Sequence, residues 1–350
     1  MNVLKIGIIG AGRIGKLHVD NLQLMPQVKI KAVSDVVIGH LEKWAQDKGI
    51  STLTTNYQDL LADPEIDAVF ICSPTNTHAQ IIKEAALAKK HIFCEKPVSF
   101  SVEETLDALE VVKEQGVSLQ VGFNRRFDPN FRKVYNLIQQ GEVGHPHILK
   151  ITSRDPQPPS IEYVRSSGGL FMDMMIHDFD MARYVMNSEV VEVFAYGTTL
   201  IDPSIQEVND VDTAIVTLKF ANGALGVIDN SRQAVYGYDQ RLEVFGEKGA
   251  VAADNCCPTT VQVSKTEGVV KDKPLYFFLE RYTQAYIEEV TQFTKSIIEG
   301  QAVICSGNDG LQAERIAKAA KESLLTGKPV QIEHKQPALN QKRERLLLKS

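Results

Sequence analysis

Lys5-Ile6-Gly7-Ile8-Ile9-Gly10-Ala11-Gly12-Arg13-Ile14-Gly15 is the stretch whose reading decides the fold. A short apolar strand runs into a turn with three glycines, and the turn opens a helix that stops near Pro26. In such a unit the first glycine makes the tight turn, the second lets backbone approach a pyrophosphate, and the third lets helix and strand pack closely. The positive end of the helix then faces the diphosphate. Gly10, Gly12, Arg13, Ile14 and Gly15 are therefore the candidate phosphate cradle. Val28, Ile30 and Ala32 alternate as the next strand, which ends at Asp35. A carboxylate there hydrogen-bonds adenosine ribose hydroxyls and repels a 2′-phosphate, which favours NAD over NADP. The plainer alternative is an ordinary glycine turn beside a surface aspartate.

Working outward, residues 1 to about 122 continue the alternation. Asp67 to Cys72 and His91 to Cys94 are short apolar runs of the kind buried parallel strands show. Helices are expected at roughly 76–89 and 102–115, the second opened by Ser101 with Glu104 three residues on. Val117, Leu119 and Val121 make a further strand. The fold class is α/β, with a Rossmann domain over 1–122 built on a doubly wound parallel sheet. The pattern then changes. Asp128-Pro129 starts a helix with Phe131, Val134 and Ile138 as its stripe, and strands dominate from His147. Asn222-Gly223 and Gly246-Glu247-Lys248-Gly249 punctuate two hairpins, so residues 123–335 read as an α/β domain with a large open, mostly antiparallel sheet. Helices at about 280–299 and 308–325 close it, and 336–350 read as a C-terminal tail.

Composition narrows the function. The chain has 350 residues, 43% hydrophobic, and a net charge of −6 from 38 basic and 44 acidic residues mixed along it, so nucleic acid is not expected as a partner. Val3 to Ile9 is too short and wrongly flanked for a signal peptide, and no apolar run reaches transmembrane length. Five cysteines, odd in number and without ligand spacing, argue against a disulfide framework and a zinc site, and point to a reducing cytoplasm.

Polar motifs sit where strands end. Ser73-Pro74-Thr75-Asn76-Thr77-His78 follows one strand at the carboxyl edge where ligands bind in such sheets, though Thr77 also suits a helix cap. Glu95-Lys96-Pro97 ends the next. Proline holds Lys96 extended and so holds its direction, while the alternative is a surface lysine paired with Glu95. After Gly168-Gly169, a continuous helix would put Asp173, His177 and Asp180 on one face, an imidazole between two carboxylates. Such a group accepts a proton near neutral pH. The same pair also fits a structural hydrogen bond or two metal ligands, but no third ligand stands at a characteristic spacing, and no metal is expected. Asn124-Arg125-Arg126, Arg154-Asp155 and Tyr236-Gly237-Tyr238-Asp239 carry groups suited to a polyol, with solvent exposure or inter-subunit pairing as the plain alternative. His18, His40 and His145 read as surface residues, and Cys94 as a buried strand residue.

Taken together, Gly10 to Gly15, Glu95-Lys96-Pro97 and Gly168-Gly169 through Asp173, His177 and Asp178 resemble the Gfo/Idh/MocA oxidoreductases, from the first strand to about Ile332. Within that family the chain is most similar to the inositol 2-dehydrogenases. The similarity lies in Val121 to Pro129, Thr152 to Pro156, Ile176 to Arg183, Tyr236 to Arg241 and Ser306 to Gly310. Some inositol dehydrogenases differ from this chain at Asn124 and Asp155, positions that bear on the isomer preferred. The resemblance implies NAD-dependent oxidation of a ring hydroxyl of myo- or scyllo-inositol, in inositol catabolism, by a homo-oligomer, often a tetramer formed through the open sheet. It implies catalysis by Lys96, Asp173 and His177, with His177 as general base, Asp173 orienting it and Lys96 on the reacting oxygen. The expected cofactor contacts are Gly10, Gly12, Arg13, Ile14, Gly15, Asp35, Ser73, Thr75, Asn76, His78, Glu95, Lys96 and Arg125. The expected substrate contacts are Lys96, Asn124, Asp155, Asp173, His177 and Tyr236. Another sugar or cyclic polyol is the rival substrate, and a dinucleotide-binding regulator the rival class.

Overall fold

The computed structural model describes residues 3–334; the expected tail at 336–350 lies outside them. Six parallel strands form the first sheet: β1 (Leu4–Ile9), β2 (Val28–Ser34), β3 (Thr52–Thr54), β4 (Ala68–Ile71), β5 (His91–Cys94) and β6 (Leu119–Val121). Their order is β3-β2-β1-β4-β5-β6, so the strand order reverses beside β1, where the glycine turn emerges. All four residues of β4 are buried, as expected for a strand covered on both faces. Edge strand β3 carries no apolar alternation, which is why sequence pattern passes over it.

The second sheet comprises β7 (Pro146–Arg154), β8 (Val190–Thr198), β9 (Thr213–Phe220), β10 (Leu225–Ser231), β11 (Asp239–Gly246) and β12 (Gly249–Ala253). An exposed ribbon, β13 (Gln262–Lys265) with β14 (Gly268–Lys271), stands apart, and β15 (Val330–Gln331) completes the second sheet. Its order is β12-β11-β7-β10-β9-β8-β15, antiparallel except between β7 and β10. That exception places the carboxyl ends of β7 and β10 side by side, with Arg154 opposite Ser231. One face is covered. On β9, Ala214, Val216, Leu218 and Phe220 turn inward while Ile215, Thr217 and Lys219 face out.

The two late helices, Thr283–Glu299 and Gly307–Thr326, return to the first sheet. Val290 and Phe293 share a core with Ile6, Ile8, Phe70 and Phe93. Cys305 accepts from the Val121 amide at 2.9 Å, and Ser306 bridges to Gln120, so this segment covers the open edge of β6. Glu314 on the last helix accepts from the amides of Val98 and Ser99 and from the Thr105 hydroxyl, which pins the loop that follows Lys96.

His18 is not a surface residue. It is fully buried against Phe70, Phe93 and Tyr286, because Gly15, His18, Val19 and Leu22 form the inward stripe of the helix Arg13–Leu22. Cys94 is buried as expected, and all five cysteines are free thiols.

Candidate active site

At the carboxyl edge of the first sheet the glycine turn forms an open cradle. Gly10 adopts φ +92°, a left-handed conformation, and a Cβ on Gly15 would stand 2.0 Å from the Gly10 carbonyl. A Cβ on Gly12 would meet nothing within 4 Å, so the face toward the helix N-terminus is free for a ligand. No side chain caps that N-terminus. Asp35 accepts from the Ala11 amide at 2.8 Å and the Val37 amide at 3.1 Å, which fixes its carboxylate beside the turn. These residues fit a dinucleotide diphosphate and ribose.

Beyond the cradle, a cleft of about 490 Å³ is lined by Thr75, Asn76, Lys96, Phe100, Tyr163 and Asp173, among others. Lys96 spans the two sheets. Its ammonium donates to the Asp173 carbonyl at 2.8 Å and stands 3.4 Å from the Asp173 carboxylate. The Tyr163 hydroxyl donates to the same carboxylate at 2.8 Å, and the Arg232 guanidinium approaches its other oxygen at 3.4 Å. Burial alone would raise the pKa of Asp173, but Lys96, Arg232 and the Tyr163 bond hold it below its ordinary value.

The expected continuous helix is broken. Gly168 and Gly169, at φ +87° and +82°, start a short helix Gly169–Asp173, and a second one, Ile176–Met186, begins after Met174 and Met175. A Cβ on Gly169 would lie 2.6 Å from the Asp210 carboxylate that receives the Leu170 amide, so glycine makes room for that cap. In an unbroken helix the Asp173 carbonyl would accept from the His177 amide. Here it accepts from Lys96, and the His177 amide reaches Met174 instead, at 3.4 Å.

The expected Asp173–His177 hydrogen bond is therefore absent. The His177 ring stands edge-on to Phe123, and its Nδ1 is buried without a partner among the described residues. Burial, then the charges of Lys96 and Arg125, push its pKa well below the ordinary imidazole value, so the ring is neutral at pH 7.

Several expected contacts are placed differently. His78 is buried, with Nδ1 on the Pro97 carbonyl and Nε2 on the Ser73 carbonyl; it ties two strand ends together and offers no free nitrogen to a cofactor. Ser73 engages Thr77, whose hydroxyl donates to Pro74 and caps nothing. Glu95 pairs with His18, not with Lys96. Arg125 is buried on Asp178 and Ser153, and Arg126 forms a bidentate pair with Asp180, so these arginines are neither solvent-exposed nor at the diphosphate cradle. Asn124 is buried beside them. The Tyr236 hydroxyl donates to Asp239 at 2.6 Å and receives Arg154, on an exposed stretch before β11. Asp155 does face the site: burial pushes its pKa up to about 6, against the pull of nearby Arg232.

Tyr163 and Arg232 are the partners of Asp173 that sequence reading misses. Arg232 follows β10 as Asp155 follows β7, so the parallel pairing of those strands was the signal available for it. Tyr163 lies on a short helix capped by Ser160, whose position depends on the tertiary fold.

Comparison with known proteins fits this geometry. "Oxidoreductase family, NAD-binding Rossmann fold" matches residues 4–123, and "GFO/IDH/MocA C-terminal domain" matches 131–252. The chain belongs to the Gfo/Idh/MocA oxidoreductase family. Among relatives of this Gfo/Idh/MocA protein, an uncharacterized oxidoreductase YrbE of Bacillus subtilis is 64% identical over 94% of this chain and 96% of its own. A myo-inositol 2-dehydrogenase of Thermotoga maritima is 48% identical over 94% and 99%. A solved structure of scyllo-inositol dehydrogenase from Lactobacillus casei, with bound NAD(H) and scyllo-inositol, is similar at TM-score 0.88 and 31% identity, covering 94% of this chain and 99% of that one. The protein is thus an oxidoreductase with an NAD-binding Rossmann domain and an α/β second domain. Among the described residues, no helix is long and apolar enough to cross a membrane.

Proposed function

We propose that the protein oxidises one ring hydroxyl of an inositol to the keto-inositol with NAD⁺. The observation that carries this reading is the Lys96 ammonium, delivered from the cofactor edge of the first sheet onto Asp173 of the second domain in one cleft, with its charge acting on the buried His177 ring. The names of the inositol dehydrogenase relatives supply the substrate class.

In this reading bound NAD⁺ supplies the hydride acceptor. Neutral His177 takes the proton of the reacting hydroxyl, and Lys96 donates to that oxygen as negative charge develops. Asp173 acts on Lys96 more than on His177: its carbonyl and carboxylate aim the ammonium, and Tyr163 and Arg232 hold the carboxylate in place. Asp155, ionised above about pH 6, accepts from another ring hydroxyl. Asp35 excludes a 2′-phosphate and makes NAD the preferred cofactor. Five free thiols suit a reducing cytoplasm, where an inositol catabolic enzyme would work.

The test is reduction of NAD⁺ and NADP⁺ measured against myo-inositol, scyllo-inositol and glucose. Turnover with an inositol and NAD⁺ is expected. A strong preference for glucose would remove the inositol reading, and tight NAD⁺ binding with no polyol turnover would revive a regulatory role.

A further inference from the structure

A second cluster of titratable side chains gathers around Glu95, the residue before Lys96, and the chemistry above leaves it unused. His18 comes from the helix whose N-terminus forms the cradle, Glu95 from the end of β5, and Glu289 from the late helix Thr283–Glu299. One polar atom of each lies within 4.8 Å of the others. His18 Nε2 and Glu95 Oε1 are 2.7 Å apart. Glu289 is fully buried, and neither of its carboxyl oxygens receives a hydrogen bond from a donor among the described residues. Phe70, Phe93 and Tyr286 surround the imidazole. Among the described residues no lysine or arginine pairs with Glu95 or Glu289.

Two carboxylates and an imidazole in an apolar shell need neutralising, by a proton or by a cation. The geometry disfavours a cation. Tetrahedral ligands at the usual zinc bond lengths stand roughly 3.4 Å apart, whereas His18 and Glu95 are already at direct hydrogen-bond distance. His18 Nδ1 also lacks the outer hydrogen bond that metal-bound imidazoles make. A proton remains.

We propose that Glu289 is a buried carboxylic acid that donates its hydrogen bond to Glu95, and that Glu289 and His18 together position Glu95 for the cofactor. Glu95 is the one member with a partly exposed edge, at the carboxyl end of β5. The inference rests on reading that edge as the NAD side of the site. Burial, then the Glu95 charge, raises the pKa of Glu289 well above the carboxylate range. The other titratable groups nearby do not compete for the role. Cys72, Cys94, Cys305 and Tyr286 are kept protonated by burial, both ring nitrogens of His78 are taken by backbone carbonyls, and Lys96 is turned to Asp173.

The experiment is calorimetric titration of the full chain with NAD⁺ from pH 6 to pH 10, for wild type, Glu289→Gln and Glu289→Met, with thermal unfolding as a check on folding. The amide of Glu289→Gln keeps the shape and the donor but has no proton to lose. Wild-type affinity is expected to fall at the alkaline end as Glu289 ionises against Glu95, while Glu289→Gln keeps neutral-pH affinity and loses that alkaline limb. Glu289→Met, which removes the donor, is expected to bind about tenfold more weakly than wild type at neutral pH and to show no alkaline limb. The proposal is overturned if Glu289→Gln loses NAD⁺ binding at neutral pH while still folded, or if it keeps the alkaline limb. Stoichiometric metal in the purified wild type overturns it too. NAD⁺ titration needs no polyol, so failure of the inositol reading shows separately in the substrate panel; a wild type that binds no NAD⁺ overturns both.

Discussion

Asp173 receives three donors, Lys96, Tyr163 and Arg232, and none of them is His177. At this scale the residue types were legible and their partnerships were not. Spacing along a presumed helix brought Asp173 and His177 together, but Lys96 and Arg232 come from 77 and 59 residues away, and no local pattern reports them. Lys96→Ala and His177→Ala are expected to lower turnover by about 10²–10⁴-fold, the usual contribution of a positioned acid or base, while NAD⁺ still binds. Near-normal turnover in either would remove its role. Asp155 gives the pH dependence. Its pKa, raised to about 6, means that the acceptor carboxylate is lost as pH falls through 6, so kcat/KM should fall there. Its folded pKa lies above the unfolded one, so its effect on stability runs the other way: full below the ordinary aspartate range and lost as pH rises through 6. Asp155→Asn should raise KM and flatten the acid limb; an unchanged limb would assign it to another group.

Among the elements, those written in strong periodicity or glycine chemistry were readable. The glycine turn, β4, β5 and the helix Val102–Gln115 with its Ser101 cap all stand where residue pattern places them. The break at Met174 was not readable, since nothing in Phe171-Met172-Asp173-Met174-Met175 forbids a helix, and the Asp173 carbonyl left out of the helix ladder accepts from the distant Lys96. Asp180, expected on one face with Asp173 and His177, instead anchors the second half of that broken helix through its bidentate pair with buried Arg126. Asp180→Ala leaves Arg126 with Asp309 as its one charged partner, beside the Ile304 carbonyl, and should cost about 3–5 kcal/mol, as removal of one partner from a buried pair does. Urea unfolding measures it. Replacing Arg126 with Met in the same chain should recover much of the loss, because the stranded charge is then gone.

For the molecule as a whole, the two sheets were legible as classes, but their interdependence was not. Val290 and Phe293 give no sign in sequence that they belong to the core of the first sheet. The outer face of the second sheet leaves Tyr196, Ile215, Leu225 and Phe245 exposed, and carries a depression of about 420 Å³ lined by Ile148, Phe194, Leu225 and Val227 among others. Apolar surface of that kind marks an interface, and a second copy of the chain is the proposed occupant, building toward a tetramer. Ile215→Lys with Leu225→Glu should shift wild-type oligomer to a smaller species in sedimentation velocity; a monomeric wild type would remove the assignment. The broken helix has one more consequence, for protium–deuterium exchange. The His177 amide keeps only a 3.4 Å bond to Met174, while the Asp173 carbonyl that an unbroken helix would offer it accepts from Lys96. Its exchange rate is therefore a native gauge of whether the two halves of the site are engaged. In Lys96→Ala, with the competitor gone and the turn free to close, that amide should exchange more slowly than in the wild type.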